Sequence, residues 1–107
     1  MKVEQSAQDM SDRFHKITSD VDLSIESIAD QFKNAIEVRR LANISGHESQ
    51  RTLRHLSNAM DRLVQTRESI TLAHTSAQKE AERADIPWNC PPEIARAEPV
   101  QLKLVNS

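Results

Sequence analysis

Apolar residues recur along the first part of the chain at a helical interval. Val3, Ala7, Met10, Phe14, Ile17 and Val21 are separated by four, three, four, three and four positions, which places all six on one stripe of a helix. Continuing that count puts Ser24 and Gln31 where apolar residues are due. Ile25, Ile28, Phe32 and Ile36 instead suit a stripe that drifts toward a period of about 3.6 residues. Ser19 and Asp22, at the changeover, form a capping pair able to restart a helix. With no glycine or proline to enforce a break, the pattern predicts one helix over about residues 4–43.

A second stripe follows. Leu53, Leu56, Met60, Leu63, Ile70, Ala77 and Ala84 fall at threes, fours and sevens, and Arg67, His74 and Ala81 occupy the remaining inward positions. This predicts a helix over residues 46–84, ended by Asp85 and the Ile86–Pro87 pair. Between the two stripes lies Asn43-Ile44-Ser45-Gly46-His47-Glu48, a turn cluster with a capping box in which Ser45 is the N-cap and Gly46 the hinge. Beyond the second stripe, Ile86-Pro87-Trp88-Asn89-Cys90-Pro91-Pro92 holds three prolines with the only tryptophan and the only cysteine, so it is not helical. Pro91 and Pro92 can open a single helical turn through Arg96, and Val100-Gln101-Leu102-Lys103-Leu104-Val105 alternates as an extended segment does. The predicted organisation is a helical hairpin over residues 1–86 and an extended, proline-containing tail over 87–107, with Trp88 as its docking residue.

Composition narrows the fold class to all-α. Three aromatics, one glycine and no tyrosine in 107 residues are too few for the turns and strands of a β or α/β domain. A coiled-coil-like hairpin has only one facing seam, and Phe32, Ile36, Leu41, Leu56, Leu63 and Val64 exceed it. A two-helix core is thin, so the expectation is a four-helix bundle completed by dimerisation or by a partner's helices. Phe14, Ile28, Phe32, Leu56, Met60 and Leu63 are the candidate seam for that contact.

Charge adds a direction. Residues 1–32 carry three basic and seven acidic side chains, residues 33–67 seven and three, and residues 68–107 four and six. Folding back at Gly46 gathers the acidic ends and leaves a basic tip, so two hairpins packed antiparallel would each set a positive tip beside negative ends. The tip residues Arg39, Arg40, Arg51 and Arg54 are also a candidate anion site, which makes nucleic-acid binding the alternative. That alternative is not favoured, because no aromatic lies between Phe32 and Trp88 to stack on bases.

Catalytic patterns are absent: there is no glycine-rich phosphate loop, G-x-S-x-G, Cys-x-x-Cys or H-E-x-x-H. A nucleophilic cysteine needs a nearby base and an electropositive pocket, and Cys90 sits between Asn89 and Pro91 in the predicted tail, so an ordinary thiol is expected. Among the four histidines, only His15 has a ligand-type residue at helical spacing, Asp12, too small a set to predict a metal site. His74 falls on the seam, where a buried imidazole would form a polar layer fixing register. The run His47-Glu48-Ser49-Gln50-Arg51-Thr52-Leu53 resembles the phospho-accepting histidine box of sensor kinases, with two residues instead of one before Arg51 and no proline before Leu53. That resemblance implies a third reading, histidine phosphotransfer on His47 or on the nearby His55.

The expectation is therefore a non-enzymatic, cofactor-free interaction protein: a self-associating helical adaptor, assembly factor or export chaperone that binds a partner's amphipathic helix. No signal peptide or membrane span is evident, so the expected location is the cytoplasm and no membrane partner is expected.

Overall fold

The computed structural model describes residues 2–90, and these form two α-helices: α1, Lys2–Ala42, and α2, Gly46–Arg83. α1 passes through the Ser19–Asp22 region without a break. Ser24 satisfies its hydroxyl on its own helix, donating to the Asp20 carbonyl at 3.0 Å, as Thr66 and Thr71 do to Arg62 and Arg67 in α2. Glu4 and Glu48 lie in the first turns and Arg39, Arg40 and Arg83 in the last, each with the charge its helix end prefers.

Both helices stop by the same device. Asn43 and Asp85 are the two non-glycine residues with left-handed backbone among the described residues, at φ of 54° and 56°. The amide of the following isoleucine then turns back to a carbonyl five residues earlier: Ile44 N–H to Arg39 O at 3.1 Å, and Ile86 N–H to Ala81 O at 2.8 Å. This is the Schellman arrangement with an isoleucine just past each stop. It corrects the hinge assignment, since Gly46 has no positive φ and is simply the first residue of α2. Ser45 does cap α2, its hydroxyl accepting from the Glu48 amide at 3.3 Å.

The inward face of α1 also differs from the drifting stripe. Ala7, Ser11, Phe14, Thr18, Val21, Ile25, Ile28, Phe32 and Ala35 are each at least half-buried, an unbroken alternation of fours and threes. Ser11, not the exposed Met10, keeps the register, and Thr18 shares the inward face with the equally half-buried Ile17, so the alternation runs on to Ala35 without a restart. In α2 the same alternation runs from Ser49 through Leu53, Leu56, Met60, Leu63, Arg67, Ile70, His74 and Ala77 to Ala81, and Ala84 lies exposed past the helix end.

The described chain falls into two compact units. One is Thr18–Thr71, which contains the turn, and the other joins the start of α1, through Ile17, to the chain from Leu72 onward. Within the first unit Arg67, on the seam of α2, forks onto Asp22 of α1, with Nε to Oδ1 at 2.5 Å and Nη2 to Oδ2 at 3.3 Å. The sequence expectations for a turn at Pro91–Arg96 and an extended run at 100–105 lie outside the described residues. No helix among the described residues is long and apolar enough to cross a membrane.

Candidate functional site

The second unit gathers most of the chain's chemically distinctive side chains. Past the stop at Asp85 and Ile86, the segment Trp88-Asn89-Cys90 comes back against the start of α1. Ser11, which is fully buried, donates its hydroxyl to the Asn89 carbonyl at 2.8 Å. The Gln8 side chain reaches the same carbonyl at 3.4 Å and accepts from the Asn89 amide at 3.4 Å.

Beside this anchor is a cluster of rings. Phe14 meets His74 edge to face, with centroids 5.4 Å apart and planes at 77°. Trp88 lies 5.8 Å from His74 and 6.4 Å from Phe14, and His15 lies 5.3 Å from His74. Edge and offset geometries of this kind add modestly to simple area burial. The Cys90 Sγ sits 3.8 Å from His74 Nε2. His15, His74 and Cys90 each present one ligand atom, and the three atoms lie within 4.8 Å of one another. The sequence reading joined His15 to Asp12; the fold joins it to α2 and to the segment beyond.

Two polar atoms in this cluster are buried without a hydrogen-bond partner: His15 Nε2 and Trp88 Nε1. A buried polar atom left unpaired costs about 1–3 kcal/mol. Burial, and next the neighbouring His74, lower the His15 pKa from its usual 6.5, against an opposing pull from Asp12. The neutral ring is thereby favoured, with a nitrogen lone pair free to accept a proton or a metal.

The remaining sequence-derived candidates are distributed differently. Ile28, Phe32, Leu56, Met60 and Leu63 are half-buried seam residues of the Thr18–Thr71 unit. Arg39, Arg40, Arg51 and Arg54 are all exposed. An open groove of about 550 Å³ in that unit takes in Arg39 but none of the other three, and Glu48 lines it together with Val38, Ile44 and Leu56. Within that groove a carboxylate, Glu48, accompanies the single arginine. His47 and His55 are exposed on α2.

Sequence reasoning missed the His15–His74–Cys90 convergence because Cys90 is brought in by a backbone reversal, not by helical spacing. A partial signal was present: His15 adjoins the seam residue Phe14, and His74 is itself on the seam. The chain matches no family model, no curated protein and no solved structure.

Proposed function

We propose that this protein is a non-enzymatic helical interaction module that completes its core by pairing with a second copy of itself. The observation that carries this reading is how little the single chain buries. Ala77 and Ala81 are its buried hydrophobic residues among those described, whereas Leu41 and Leu72 are 81% and 70% exposed, and Leu23, Val38, Ile36 and Val64 are also open to solvent. Two helices of 41 and 38 residues whose other apolar seam residues are only half-buried recover limited hydrophobic free energy against their chain entropy.

Charge supports a second copy as the occupant. The net-positive block 33–67 lies within the Thr18–Thr71 unit, and net-negative blocks flank it in sequence. An antiparallel dimer sets each positive block against the partner's negative ones and forms a four-helix bundle. By architecture alone, its role is that of an adaptor, assembly factor or export chaperone whose shared seam accepts a client's amphipathic helix.

Sedimentation velocity tests the reading. The full chain at micromolar concentration should sediment as a dimer that weakens as salt rises, and Leu41→Lys with Val64→Lys should yield a helical monomer. A wild-type monomer overturns it. So does a monomer retained on DNA that loses retention in Arg51→Glu, Arg54→Glu protein, which would assign the tip to a polyanion instead.

A further inference from the structure

We infer that His15, His74 and Cys90 form a binding site for a borderline-soft divalent transition-metal ion, with zinc as the type, and that the bound ion clamps α1, α2 and the segment after α2 together. The geometry is close to what such an ion requires. Tetrahedral zinc, with bonds of about 2.3 Å to sulfur and about 2.0 Å to nitrogen, holds those two ligand atoms about 3.5 Å apart. Cys90 Sγ and His74 Nε2 are 3.8 Å apart, and the trio's ligand atoms all lie within 4.8 Å. Bringing all three onto one ion takes side-chain shifts of about 1 Å or less.

A second observation points the same way. His15 Nε2 is buried and unpaired although it belongs to one of the three residues. Native buried nitrogens without a partner are uncommon, and an ion is one of the few things that relieves them. The protein also holds the third donor in place: the buried Ser11 hydroxyl fixes the carbonyl of Asn89, the residue immediately before Cys90. A positioned cysteine between two helix-borne imidazoles is a built arrangement.

Donor chemistry selects the class of ion. Two imidazoles and one thiolate suit zinc, cobalt or copper and are poor ligands for magnesium or calcium. Three protein donors leave the fourth tetrahedral position to water. On binding, the Cys90 thiol releases its proton to solvent as sulfur takes the ion, and no electron changes hands. A chain whose described core is as thin as this gains from such a clamp, as small scaffolds commonly do. The inference is independent of self-association, because all three donors belong to one chain.

Cobalt(II) added to the full, reduced chain is the test. One equivalent should bind, giving the intense visible bands of tetrahedral cobalt and a thiolate-to-metal charge-transfer band in the near ultraviolet. Cys90→Ser, at an exposed position, should fold normally by circular dichroism, abolish the charge-transfer band and weaken binding by roughly tenfold or more. His15→Ala should weaken binding similarly, and His47→Ala with His55→Ala should leave it unchanged. Zinc should raise the melting temperature of wild type but not of Cys90→Ser. A pale octahedral spectrum, binding that survives Cys90→Ser undiminished, or binding lost with His47 and His55 would each overturn the inference.

Discussion

The hydroxyl of Ser11 donates to the carbonyl of Asn89 across 78 residues of chain, and Ser11 is the one fully buried side chain among the described residues. Because the acceptor is backbone, the side chain at position 89 is secondary to the bond. Ser11→Ala should therefore destabilise the protein by about 1 kcal/mol, through loss of the shorter bond, which leaves the carbonyl only the 3.4 Å Gln8 contact. Asn89→Ala should cost less than half as much, since it removes only the 3.4 Å bond from the Asn89 side-chain amide to Gln8 Oε1 and leaves the backbone carbonyl in place. Urea titrations of the two variants compare them directly; equal losses would place the anchor in the side chains instead.

Arg67 and Asp22 are held together on the seam while 39% and 45% of their side chains remain exposed. At that exposure an ion pair contributes about 0.2–1 kcal/mol, so Asp22→Ala should be mild. Arg67 occupies an inward heptad position, where a polar residue sets register at some expense of stability. Arg67→Leu is expected to raise the midpoint of thermal unfolding and to broaden the set of pairings the helix accepts. A lowered midpoint would show that the fork contributes more than its exposure implies.

The left-handed caps make opposite predictions for neighbouring residues of the turn. A non-glycine residue in that conformation carries strain that glycine does not, so Asn43→Gly should stabilise by about 0.5 kcal/mol, whereas Asn43→Val should cost more than about 1 kcal/mol. Gly46 has an ordinary φ, and a Cβ added there would meet only the Arg39 Nη2, at 3.7 Å. Gly46→Ala should thus be neutral or stabilising by up to about 0.5 kcal/mol. The only glycine of the chain is dispensable, whereas position 43, three residues before it, accepts glycine but not a β-branched residue. Melting temperatures of the three variants decide the matter.

Much of this architecture is legible from spacing, and the misreadings share a cause. The seam of α2 can be followed even through Arg67, His74 and Ala81, because strong apolar residues on both sides leave one register open. In α1 the exposed Met10 sits beside the true inward position, which is filled by Ser11, and Thr18 shares the inward face with Ile17. Reading by hydrophobicity alone follows the apolar neighbours and then must invoke a drift to reach Ile25 and Phe32. A small hydroxyl residue can face inward there because facing helices leave little room, and Ser11 finds a carbonyl to bond. The cluster at His15, His74 and Cys90 is invisible to periodicity altogether. It depends on two residues, Asp85 and Ile86, turning the chain back, and a left-handed aspartate is not a conformation that sequence pattern announces.

The two cross-chain polar anchors differ in how much chain each must close: 45 residues for Arg67 with Asp22, and 78 for Ser11 with Asn89. Forming the longer loop first costs about 0.5 kcal/mol more in chain entropy than forming the shorter one. Folding should consequently zip outward from Asn43, and unfolding should begin where Trp88 rests on Phe14 and His74. The single tryptophan then acts as a built-in reporter of the first step: its emission should shift at a lower denaturant concentration than the loss of helical circular dichroism. Coincident transitions would mean that both helices open at once. If the two separate, the last contacts to form are the ones that assemble the histidine and cysteine cluster, and fraying of the molecule would be read out as disassembly of that site.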